Sequence, residues 1–101
     1  MSGDEFTEMD DNLVGPVVRT GELADAVIDA AIEDNPGREV MVFEREDYVR
    51  IHAERDCVVT RASIEKHLGR DFNMAMLEIE MPSFKGRMQS STEQMRWFYV
   101  N

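Results

Sequence analysis

The chain has 101 residues, with 21 acidic against 11 basic side chains and a formal net charge of −10. That length is one domain. That charge excludes the clustered positive surface a nucleic acid or an anionic membrane needs, and it favours steering toward a basic protein surface. A single cysteine, Cys57, permits neither an internal disulfide nor a thiolate metal cage. The sequence shows no secretory leader and no apolar run long enough to span a bilayer, so a cytoplasmic, bacterial-type soluble chain is expected.

Residues 1–11, MSGDEFTEMDD, carry Asp4, Glu5, Glu8, Asp10 and Asp11 and no base. Such a segment reads as a mobile acidic tail. Val14, Val17 and Val18 make the next segment extended, and Pro16 confines it to a sheet edge or a bulge. Thr20 then caps a helix running to Asn35-Pro36-Gly37, which stops it. Leu23, Ala24, Val27, Ile28, Ala30 and Ala31 form its apolar side. Glu22, Asp25, Asp29 and Glu33 lie together opposite, without a basic residue on the same helix. Like-charge pairs four residues apart cost a few tenths of a kcal/mol each. A solvated face bears that, and a basic partner would relieve it, so these four are candidate steering charges.

REVMVFE, YVRIHAE and CVVT are strand candidates. In the second, Val49, Ile51 and Ala53 point inward, while Tyr48, Arg50, His52 and Glu54 form the polar face. Thr60 caps a second helix, with Ile64 and Leu68 inward and Gly69 at its end. FNMAMLEIEM reads as a turn feeding a strand through Leu77, Ile79 and Met81, and PSFKG reads as a loop. RMQ and MRWFYV form a closing hairpin. The expected fold is α+β: two helices packed on small, mostly antiparallel sheets, forming one domain over residues 12–101.

Catalytic constellations are missing. No Gly-rich phosphate loop, CxxC or HExxH occurs, and the carboxylates lack the spacing of a calcium loop. His67 falls among solvated residues and His52 on a polar strand face. Cys57 reads as a buried strand cysteine, although a nucleophile beside His52 is the alternative. The 8 methionines are more informative. Met74, Met76, Met81 and Met88 crowd one region, and methionine suits surfaces that must adapt to a partner as well as cores.

NLVGPVVRTGEL, DNPGREV, YVRIHAE, LGRDFNMAMLEIEM and SFKGRM, in that order, resemble the effector (coupling or regulatory) proteins of bacterial multicomponent diiron monooxygenases. The likeness is greatest to the toluene and alkene branch and runs from about Asn12 to Val100. It implies a non-catalytic component without metal or organic cofactor, a monomer when free, that binds a hydroxylase. The diiron centre would belong to that hydroxylase. Electrons would come from an NADH reductase through a Rieske-type ferredoxin. The resemblance places Asn73, Met74, Met76, Pro82, Ser83, Phe84 and Gly86 toward the hydroxylase. Asp71, Arg55 and Lys85 depart from the family pattern, where proline, glycine and a small residue are usual. A binding adaptor for an unrelated partner, or a small enzyme using Cys57 and His52, are the other readings.

Overall fold

The computed structural model describes residues 12–100; the acidic segment 1–11 lies outside the described residues. Among the described residues the order is β1 (Leu13–Arg19), α1 (Glu22–Asp34), β2 (Val40–Glu44), β3 (Tyr48–Glu54), β4 (Asp56–Thr60), α2 (Arg61–Leu68), α3 (Met74–Ile79), β5 (Ser83–Lys85), β6 (Arg87–Ser90) and β7 (Gln94–Phe98). The strands build two antiparallel sheets, β2-β3-β1-β5 and β4-β7-β6. The α+β expectation holds, with three helices in place of two.

The core lies where both sheets and the helices meet. Val14, Val18, Val49, Ile51 and Ala53 come from the first sheet, and Cys57, Val59, Met95 and Trp97 from the second. Ala24, Val27, Ala30 and Ala31 of α1, Ile64 of α2, and Met74 and Leu77 of α3 close it. The helix residues facing the sheets from α1 are mostly alanines, which lets that helix approach the strands closely. A bidentate ion pair from Arg96 to Asp56, 2.7 Å at its shortest, ties β7 to β4.

Several local expectations are overturned. β1 is an interior strand, paired with β3 on one side and β5 on the other. Its ladder to β3 joins Leu13 and Val14 to Glu54 and Ala53, omits Gly15 and Pro16, and resumes at Val17 in the same register. A proline without an N–H is therefore tolerated inside the sheet because the ladder lapses where it sits. Thr20 does not cap α1. Its amide is already donated to the Asp47 carbonyl at 3.0 Å, and Gly21 precedes the helix with no side-chain cap. Thr60 does cap α2, its hydroxyl accepting from the Ser63 amide at 3.2 Å.

The turn-and-strand reading of FNMAMLEIEM is also wrong: Met74–Ile79 is α3. Asn73 caps it by accepting from the Ala75 amide at 2.9 Å. Met74 and Leu77, three residues apart, are buried, whereas Ile79 of the apparent alternation is 64 % exposed. Met, Ala, Leu and Glu are all good helix formers, and the cap decides between the two periods. PSFKG is likewise not a free loop, since Ser83–Lys85 pairs with β1.

His52 is not on a solvated face. It is fully buried, on the opposite side of the first sheet from Ile51. Its cross-strand position on β1 is Gly15, and a side chain there would begin 3.0 Å from the imidazole Cδ2. The missing side chain thus leaves room for the ring, and buried Leu13 and Val17 flank it on the same face.

Candidate partner-binding surface

α3 and β5 are both anchored on β1. The Arg19 amide donates to the Glu80 carbonyl at 3.0 Å, fixing the end of α3. Ser83, Phe84 and Lys85 pair with Val17, Pro16 and Gly15. Gly86 then lets the chain leave one sheet for the other. Its φ is +99°, and a Cβ there would stand 2.7 Å from Val14 Cγ1 and 2.9 Å from the Phe98 carbonyl, so only glycine fits.

Along this anchored segment three large apolar side chains face solvent: Met76 (47 % exposed), Ile79 (64 %) and Phe84 (43 %). Met76 and Ile79 lie one helical turn apart and so share a face of α3. Ile79 is not among the residues the resemblance places toward the hydroxylase, and a strand reading of its segment hides its place one turn from Met76. Recognising Asn73 as a cap would have found it. Pro82, Ser83 and Gly86 are exposed as expected, and Asn73 is exposed and engaged in its cap. Met74 differs: at 3 % exposure it is core, and it supports α3 from beneath. Met81 is also largely buried and Met88 half-buried. The methionine-rich region is therefore mostly interior filler that presents one methionine, Met76. A groove lined by Arg61, Glu65, Asp71, Phe72 and Thr92 reaches Asn73 and Met74 at the start of α3.

Three of the four acids of α1 find bases, on α2 or just past its end. Arg70 reaches both carboxylate oxygens of Glu22 at 3.3 Å. Lys66 and His67 reach Glu33 at 3.0 and 2.9 Å, and His67 stands 4.0 Å from Asp29. These hydrogen bonds, Lys66 first, hold the Glu33 carboxyl below its ordinary value. Asp34 adds a further clasp, accepting from the Thr60 amide and hydroxyl and from the Ser63 hydroxyl at 2.7 to 3.0 Å. Exposed pairs of this kind contribute little energy each, but together they orient α1 against α2. Asp25 stays exposed, and the Asp29 side chain is 59 % exposed.

The catalytic alternative fails on its own residues. Cys57 is fully buried, and burial, with Asp56 adding to it, pushes its thiol up to about 12. A nucleophilic thiol needs the opposite shift. His52 lies in the other sheet and is pushed down to about 4, first by burial. Among the described residues no group of His, Cys, Asp and Glu could hold a metal ion, and no helix is long and apolar enough to cross a membrane.

Residues 12–98 match the MmoB/DmpM family, which is nearly all of the described chain. The chain belongs to that family. It is 66 % identical over 99 residues to the effector subunit of an alkene monooxygenase system from Xanthobacter autotrophicus, covering 98 % of each chain. Its fold is similar to two chains from structures of a phenol hydroxylase–regulatory protein complex. One has a TM-score of 0.74 at 25 % identity, covering 87 % of this chain and 99 % of the other. The second has a TM-score of 0.66 at 28 % identity, covering 84 % and 99 %. The regulatory protein B of soluble methane monooxygenase shares the fold at 19 % identity, with a TM-score of 0.66 over 99 % of this chain and 81 % of the other. MmoB/DmpM membership thus agrees with the resemblance drawn from the sequence.

Proposed function

We propose that this protein is the non-catalytic effector of a multicomponent alkene or aromatic monooxygenase. In this reading it docks on a hydroxylase whose carboxylate-bridged diiron centre activates O₂. It carries no cofactor of its own, is monomeric when free, and acts in the cytoplasm as a single domain over residues 12–101. A Rieske-type ferredoxin and an NADH reductase supply the electrons. The observation that carries the proposal is the 66 % identity, end to end, with an alkene monooxygenase effector subunit. The docking surface we assign is Met76, Ile79 and Phe84, with Asn73, Pro82, Ser83 and Gly86 around them and Met74 holding α3 from below. Exposed apolar side chains on two rigidly anchored elements are what an interface centre needs.

An effector without chemistry changes chemistry by differential binding. It shifts a two-state hydroxylase only by the difference in its affinity for the two states. A tenfold preference contributes about 1.4 kcal/mol, which a few buried side chains can supply. Reconstitution tests this directly. Adding the protein to purified hydroxylase and electron donors should raise product formed per NADH consumed. Phe84→Ala should weaken the complex by about 2 kcal/mol, roughly thirtyfold, while leaving the urea midpoint almost unchanged because the ring is already half in water. Equal affinity for the two forms would remove Phe84 from the interface.

The acids of α1 are proposed to steer association toward a basic rim. Glu22 is engaged by Arg70 and Glu33 by Lys66 and His67, so most of that role falls to Asp25 and Asp29. The double variant Asp25→Lys, Asp29→Lys should slow complex formation at low salt and converge on the parent when the screening length is about 3 Å, near 1 M salt. An association rate independent of these charges at every ionic strength would leave the stripe as solubility alone.

A further inference from the structure

We propose that Met76 is an oxidation site that disconnects this protein from its partner. The inference rests on the docking surface assigned above. Among the described residues Met74, Met81 and Met95 are 3 %, 9 % and 1 % exposed, whereas Met76 is 47 % exposed. Met41, at 36 %, lies on the edge strand β2, on an element apart from α3 and β5. Only one methionine is therefore both open to solvent and placed between Asn73 and Ile79 on the candidate surface.

The oxidant is hydrogen peroxide, the product when O₂ takes two electrons and two protons and no oxygen is inserted into substrate. The Met76 sulfur donates an electron pair to one peroxide oxygen. The O–O bond breaks, an S–O bond forms, and the other oxygen leaves as water. The thioether is oxidised by two electrons and the peroxide reduced by two. The product sulfoxide is polar and chiral where the surface was apolar and pliable. Because the core methionines are shielded, the fold survives and only docking suffers. Because a docked partner covers Met76, the free protein is the form that reacts. Poorly coupled turnover would thereby remove the component that promotes oxygen chemistry, and enzymatic sulfoxide reduction would return it.

The test treats the full chain with hydrogen peroxide, assigns each sulfoxide by peptide mass mapping, and measures binding to the purified hydroxylase. Oxidation at Met76 should weaken binding about tenfold with the circular dichroism spectrum unchanged. Methionine sulfoxide reductase should restore it. Whatever its affinity before treatment, Met76→Leu should lose nothing further on exposure to peroxide, whereas Met41→Leu, away from the docking surface, should bind as the parent does and keep the parent's sensitivity. Saturating hydroxylase should protect Met76 from oxidation. Normal binding by protein fully oxidised at Met76, or a peroxide loss that persists in Met76→Leu, overturns this inference alone. Failure of the untreated protein to bind overturns the docking reading and this one with it.

Discussion

Gly15→Ala is expected to cost at least about 3 kcal/mol of folding stability. Gly15 has φ +146°, a region closed to residues with a Cβ. A Cβ there would stand 2.1 Å from the Ile51 carbonyl oxygen and 3.0 Å from His52 Cα. Both are backbone atoms of β3, so no side-chain rotation relieves the collision. The methyl group must push β1 from β3 where their ladder already lapses. β5 pairs with β1 at this same place, Gly15 opposite Lys85. The variant should therefore lose docking through Phe84 even under conditions where it remains folded. A urea titration measures the first effect as a fall in midpoint, and hydroxylase affinity measures the second. An unchanged midpoint would mean that β1 and β3 are not this close.

Acidification is expected to remove about 3 kcal/mol between pH 6.5 and 4 through His52 alone. The imidazole is fully buried. Burial lowers its pKa from 6.5 to about 4, with Arg50 and Lys85 acting in the same direction and a backbone hydrogen bond with Gly15 opposing them. The unfolded chain takes up its proton near 6.5, while the folded chain resists until about 4. Between those values the unfolded state binds more protons, so stability falls as pH falls, by about 1.4 kcal/mol per pH unit at most. Above the window the contribution is fully present. Urea titrations across this range should show the slope in the parent and its loss in His52→Gln. Should that variant fold poorly, the ring-carbon NMR titration of His52 in the parent, with a midpoint well below 6.5, reads the same property. A midpoint at the ordinary value would overturn the account.

These two residues bear on function through one strand. Gly15 and His52 shape the outer side of the first sheet where β1 carries β5, and β5 carries Phe84. The strand that bears Phe84 is held in place beside a glycine that admits an imidazole, and Gly15 is itself outside the proposed docking residues. A substitution that leaves Phe84 in place can therefore still abolish docking.

Much of this was legible from residue order. Asn35-Pro36-Gly37 ends α1 because proline cannot continue a helix. Gly69 ends α2 in the left-handed region, φ +80°, after a helix capped by Thr60. The inward set Val49, Ile51 and Ala53 follows from strand alternation, and the closing hairpin from its apolar residues. Arg55, between β3 and β4, adopts φ +69°, in the left-handed region that glycine enters most readily, which accords with the glycine expected there from the resemblance. Its amide donates to the Asn12 carbonyl at 2.8 Å and its guanidinium stacks 5.4 Å from the Tyr99 ring. These two contacts hold the turn in that conformation.

Composition and local periodicity determined by themselves that this is an acidic α+β domain. The segment from Asn73 to Gly86 came from the family resemblance instead, because caps, breakers and side-chain period act within a few residues and say nothing of a partner. Only the tertiary structure decided which methionine faces outward, that Ile79 joins it, that His52 is buried, and that the acids of α1 meet Lys66, His67 and Arg70. Each of those outcomes depends on contacts between residues far apart in the chain. A lone strand cannot reveal that its polar side will lie over a glycine, and a lone helix cannot reveal the bases of its neighbour.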